Sequence, residues 1–240
     1  MRSTILIVLC LVVLGIILPV CVFGQTAKPP KRVSDIAPLE RIVNKDTNLT
    51  SNRIDIVAME SFSWTRTIGG FAMLFRESDS AKENFAFIPK SLRFRDLLDS
   101  IIAAEPRYQW KEKDGIIDLI PKENYPLLEA NVARFFLRNA TKEEMINGLQ
   151  STPEFLSATL KSGVQKNLVV SFDGICTETP QKNTINMSNA TVQEILNEIV
   201  RLNGLSVWRY REYLVANDRT TRRFYSLDFI VNHGADCSSL

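Results

Sequence analysis

The chain reads as an α+β protein: two related βαββ-type units, with small mixed or antiparallel sheets packed on helices and a helical insert between them. Three observations predict this. Two amphipathic helices, near 94–104 and 191–202, each run into a strand carrying a tryptophan, and Trp110 and Trp208 lie 98 residues apart. Asp114-Gly115 between an alternating strand and an apolar one is a strong hairpin signal. The composition, 45% hydrophobic and 23% charged, is that of a core-forming chain rather than a disordered or disulfide-dense one.

Residues Ile5 to Phe23 are almost wholly apolar and follow Arg2, and Val22-Phe23-Gly24 ends in a small residue. The segment 1–24 is therefore expected to be a secretory signal cut between Gly24 and Gln25, or else a membrane anchor. Lys28, Lys31 and Arg32 outnumber Arg2, so a retained anchor with a cytosolic body is the alternative. Losing Arg2 with the segment takes the net charge from +2 to +1, and Cys10 and Cys21 go with it. Cys176 and Cys237 are then left as candidates for a disulfide in an oxidising compartment. Export, to the periplasm or the medium, is the expected localisation.

Residues 25–52, with Pro29, Pro30 and scattered polar residues, read as a flexible linker, with ordered structure beginning near Ile54. The first unit covers 53–125. It holds a strand at Phe71–Phe75 and a helix from Phe94 to Ala104, with Phe94, Leu97, Leu98, Ile101 and Ile102 at helical spacing and Pro106 after its end. Tyr108 and Trp110 share one face of the next strand, and Ile116 to Ile120 return after Asp114-Gly115. The insert covers 126–163. Its strand Arg134–Ala140 enters a helix at Thr141, whose partner Glu144 makes a capping box, and Ser151-Thr152-Pro153 opens a second helix.

The second unit covers 164–232, and 233–240 is a tail. Thr184–Ala190 repeats the Asn-Ala-Thr ending of the insert strand, and Thr191 with Glu194 repeats the capping box. Val192, Ile195, Leu196, Ile199 and Val200 face inward on the following helix, and Asn203-Gly204 ends it. Leu205–Arg211 is a strand, Tyr213-Leu214-Val215 is expected as its return, and Phe224–Val231 as a last strand. Superposing the units at this offset, with no gap from Leu97 to Val215, sets Leu98 on Leu196, Ile101 on Ile199 and Trp110 on Trp208, the expected repeat core. It also sets Phe71–Phe75 on Val169–Asp173.

Thr191-Val192-Gln193-Glu194-Ile195-Leu196-Asn197-Glu198-Ile199 with Gly204-Leu205-Ser206-Val207-Trp208 resembles the short N-terminal domain of bacterial secretins and TonB-dependent receptors. Leu92 to Ile101 with Tyr108 and Trp110 is a second, degenerate match in tandem. The resemblance implies a small, non-catalytic periplasmic contact domain, with an envelope protein as partner.

The chemistry is sparse. His233 is the one histidine, so no two-histidine metal motif exists, and no metal or cofactor site is expected. Gly69-Gly70 stands outside any phosphate-binding pattern, and no nucleophile elbow is present. No catalytic residue is assigned. Lys plus Arg at 29 against Asp plus Glu at 27 excludes the basic excess of a nucleic-acid binder. Membrane contact is expected only through residues 5–23, if they are retained. Asp96 with Asp99, Asp114 with Asp118, and Glu143 with Glu144 are the local carboxylate pairs for an alternative, a small-molecule or glycan binder or hydrolase with its site in a cleft between the units. Asn48, Asn139, Asn186 and Asn189 begin formal glycosylation acceptors. The leading expectation is a binding or scaffolding module that adds a partner's strand to an exposed sheet edge, or takes the partner in a groove beside the helices.

Overall fold

A computed structural model describes residues 37–43, 54–74, 93–123, 125–166, 181–204, 206–217 and 220–231, all within one unit, Ile36–Leu240. The 1–24 segment, the Gly24–Gln25 junction, Val169–Asp173, Cys176, Cys237 and the 233–240 tail lie outside the described residues. The fold is α+β. In order, α1 is Ile54–Thr65, β1 Gly69–Leu74, α2 Phe94–Ala104, β2 Tyr108–Lys113, β3 Ile116–Pro121, β4 Asn131–Ala140, α3 Lys142–Gln150, α4 Pro153–Ser162, β5 Val164–Lys166, β6 Asn183–Thr191, α5 Val192–Asn203, β7 Ser206–Asn217 and β8 Thr220–Val231.

Both hairpins lie in one mixed six-stranded sheet of order β2-β3-β1-β7-β8-β5, while β4 and β6 form a separate antiparallel pair. β1 runs parallel to β3 on one side and to β7 on the other. Period-two alternation sends side chains to two cores. Phe71, Met73, Ile117, Leu119, Val207 and Ile230 meet α1 and α2 on one face. Ala72, Trp208, Tyr210, Tyr225 and Leu227 meet α3, α4 and α5 on the other, which the β4–β6 pair covers in turn. α5 is thus enclosed between two sheets, and five of its apolar positions, Val192, Ile195, Leu196, Ile199 and Val200, are fully buried.

The local rules hold closely. Asp114 and Gly115 both take positive φ, 54° and 76°, as a two-residue hairpin turn between right-twisted strands demands. Gly163 ends α4 in the left-handed region at φ 65°. β4 and β6 enter their helices by the same device. Asn139 and Asn189 sit in the left-handed region at φ 50° and 52°, which turns Ala140 and Ala190 inward beside the first helical turn. Both capping boxes are formed: Thr141 and Thr191 accept from the Glu144 and Glu194 amides, and each carboxylate accepts from its threonine N–H. Thr191→Ala should cost about 1 kcal/mol in urea denaturation and Thr191→Ser should restore it; a loss under about 0.3 kcal/mol would count against the cap.

Three expectations are corrected. Within the stretch assigned to linker, Pro38–Glu40 forms a 3-10 turn, Leu39 and Val43 are buried with α1 and α2, and Arg41 Nη1 donates to the Thr65 and Arg66 carbonyls at 2.8 Å. Two apolar anchors without a period carry no local signal, because the surface they need comes from elsewhere in the chain. Second, Tyr213-Leu214-Val215 is not a return strand. β7 continues to Asn217, and its partner is β8, paired from Ser206↔Val231 to Asn217↔Thr220. The polar Arg211-Glu212 pair resembles a turn in sequence, but Glu212 is buried, accepting from Tyr210 Oη and Arg223 Nη2. Third, the ungapped superposition therefore ends where β2 turns into β3, since the equivalent of that turn falls inside β7.

Before that point the two segments make one contact in common. Trp110 Nε1 donates to Asp99 Oδ1 at 2.8 Å, and Trp208 Nε1 to Asn197 Oδ1 at 2.5 Å, each across the same eleven-residue separation. Leu98, Ile101, Leu196, Ile199 and Trp208 are fully buried, and Trp110 is partly buried against the α1–α2 core. β2 and β7 run in opposite directions, as their pairings through β3 and β1 require, and α2 and α5 lie on opposite faces of the sheet.

Candidate interaction surface

The acids named from sequence take separate places in the fold. Asp96 and Asp99 are exposed on α2, Asp99 holding the Trp110 indole. Asp114 is exposed in the hairpin turn, while Asp118 is buried and takes its hydrogen bonds from Gln193 and Asn197 of α5. Glu144 serves its cap and Glu143 is exposed beside it in the first turn of α3. Burial raises the pKa of two described carboxyls, Asp118 and Glu60. Glu60 belongs to α1 and Asp118 faces α5, so the two lie on opposite sides of the sheet and share no cleft. Among the described residues no group of three His, Cys, Asp or Glu is placed to hold a metal ion. No described helix is long and apolar enough to cross a membrane.

Sheet edges differ sharply from one another. β2 closes one side of the large sheet with Lys111, Glu112 and Lys113 exposed, and charge on an edge opposes pairing with another chain. β5 closes the other, with three described residues that end in Lys166. β4 carries Arg134 and Arg138, and its outward Ala133 N–H donates to Glu154 Oε1 of α4 at 3.2 Å, so a helix guards that strand. Among the described residues β6 has none of these protections. Its nine residues, Asn-Thr-Ile-Asn-Met-Ser-Asn-Ala-Thr, carry no charge and no proline. Thr184, Asn186 and Ser188 are exposed, Ile185 is buried, and β4 is its one strand neighbour among the described residues. Phe136, 48% exposed, stands opposite Asn186 as an apolar flank, with the Arg134 guanidinium 6.0 Å from its ring.

No family model, no curated protein and no solved structure matches this chain. The residues themselves carry the functional argument.

Two buried polar groupings were not legible in the sequence. One is Asp118 with Gln193, Asn197 and Trp208. The other joins Tyr210, Glu212 and Arg223: Tyr210 is stacked on Tyr225 and edge-on to Tyr125, and Arg223 also donates to the Ser162 carbonyl at the end of α4. Burial pushes the Tyr225 hydroxyl up to about 12. The first joins by hydrogen bond residues up to 79 positions apart, and the second reaches from β7 and β8 to Tyr125 and Ser162. The nearest local signal was Asp118 inside the otherwise apolar strand β3; Glu212 lies beside Arg211 and gives none.

Proposed function

We propose that this chain is an exported, non-catalytic binding or scaffolding module of the cell envelope, acting through protein–protein contacts and taking an extended, uncharged segment of its partner along β6. The β6 edge carries this reading: β2 and β4 are defended by charge or a helix and β5 has three described residues, whereas β6 is long, neutral and flanked by Phe136. Main-chain pairing would supply affinity, and the alternating Thr184, Asn186 and Ser188 would supply selectivity. Export rests on the apolar Ile5–Phe23 segment and its Gly24-Gln25 junction. The resemblance to the short N-terminal domain of secretins and TonB-dependent receptors points to the same kind of role. A carboxylate-pair binder or hydrolase has weaker support, since the two acids raised by burial lie on opposite faces of the sheet.

Photo-cross-linking groups placed at Thr184 and Ser188 in the native host test the proposal against the same group at Lys111. A discrete adduct is expected from the β6 positions and not from β2. Asn186→Lys, which puts a charge on an exposed site of that edge, should abolish it. Equal adducts from both edges, or adducts indifferent to Asn186→Lys, would refute strand addition at β6.

A further inference from the structure

One row of residues crosses the large sheet on its α5 side. Lys111 of β2 stands opposite Asp118 of β3, Asp118 beside Gly70 of β1, and Gly70 beside Trp208 of β7. The indole lies over Gly70, where a Cβ would come within 1.8 Å of Trp208 Cε2. α5 brings two amides onto this row. Gln193 Nε2 donates to Asp118 Oδ2 at 2.7 Å, and Asn197 Nδ2 donates to the same oxygen at 2.8 Å. Asn197 Oδ1 in turn accepts from Trp208 Nε1 at 2.5 Å. Asp118 is 8% exposed, and its other oxygen, Oδ1, is buried without a hydrogen-bond partner.

We propose that Asp118 is a protonation-sensitive joint between the first hairpin and α5, which stabilises the fold most while its carboxyl is neutral and less once it ionises. The proposal stands independently of strand addition at β6. Both amides donate to Oδ2, so in the ionised form Oδ1 is a buried anionic oxygen with no donor, a costly arrangement. The surroundings offer little to offset it. From β2 the exposed ammonium of Lys111 faces it, α5 contributes only the neutral Gln193 and Asn197, and β1 and β7 contribute Gly70 and Trp208. Burial raises the Asp118 pKa above its ordinary 3.8, against the smaller lowering by the two amides and Lys111. A carboxyl whose folded pKa is raised contributes stability that is full below its unfolded pKa. That contribution is lost as pH rises toward the folded value and is constant above it.

The test is urea unfolding of the full chain across about pH 3 to 8, for the wild type, Asp118→Asn and Lys111→Gln. Relative to Asp118→Asn, the wild-type folding constant should fall with rising pH, by up to about tenfold per unit, and then level off. Lys111→Gln should carry the levelling-off to higher pH, because it removes the one cation that favours the carboxylate. Parallel wild-type and Asp118→Asn profiles, or a relative stability that rises with pH, would overturn this role. Should Asp118→Asn fail to fold, the exposed Lys111→Gln decides by itself, and an unmoved profile overturns the proposal.

Discussion

Gly70→Ala should be among the most damaging single-methyl changes in this protein, costing at least about 3 kcal/mol. The added Cβ would meet Trp208 Cε2, Cδ2 and Nε1 at 1.8, 2.1 and 2.2 Å. The indole has no room to retreat, because Trp208 is fully buried and its Nε1 is tied to Asn197. Gly70 is also at the centre of the sheet, paired with both Asp118 and Trp208, so a backbone shift there disturbs two parallel ladders at once. Gly115→Ala is the control: its Cβ meets nothing within 4 Å, and only the positive φ of 76° opposes it, at about 1 kcal/mol. Thermal unfolding should separate the two, with a midpoint drop of roughly 6–12 °C for Gly70→Ala. A drop no larger than that of Gly115→Ala would show that the indole can move and that the packing argument is wrong.

Asp228→Ala should be similarly severe, at about 3 kcal/mol, through electrostatics rather than packing. Arg209 lies on the α1 side of β7, directly opposite Asp228 on β8. Its Nε and Nη2 donate to the two carboxylate oxygens at 2.7 and 2.8 Å, and Nη1 lies 3.6 Å from Met59 Sδ of α1. The guanidinium is nearly inaccessible, and Arg211 approaches the same carboxylate at 3.7 Å. Deleting the carboxylate takes the bidentate acceptor from one buried cation and the shared anion from a second. The Arg211 pKa is already lowered, chiefly by burial and then by Arg209. Replacing both members, as Arg209→Met with Asp228→Leu, should recover much of the loss, because desolvation of the pair is removed along with its attraction. A double-mutant cycle in urea measures the coupling. A double variant as unstable as the sum of its singles would show that the pair acts as two independent sites.

What could be read from the chain was whatever is settled within about a dozen residues. α2 was legible from Phe94, Leu97, Leu98 and Ile101, the β2–β3 turn from Asp114-Gly115, and both capping boxes from Thr141 with Glu144 and Thr191 with Glu194. What needed the fold was every relation between distant segments. The β4–β6 pairing, with Phe136 opposite Asn186, joins two segments whose likeness was visible but whose contact was not. The position of β1 between β3 and β7, which unites both hairpins in one sheet, left no trace beyond Gly69-Gly70. Even those glycines acquire a reason only from their neighbours, the Ile117 backbone and the Trp208 ring.

The candidate surface divides the same way. That β6 carries no charge is a fact of sequence. That β6 is an edge among the described residues, and that Glu154 guards β4, belong to the tertiary structure. The sequence by itself therefore determined helix phase, caps, the tight turn and the α+β class, because these follow from backbone geometry and local hydrophobic period. Only the tertiary structure decided which strands neighbour one another, which edges stay open, and which polar side chains are taken out of water. Those outcomes depend on burial against surfaces remote in the chain, and nearby residues do not encode them.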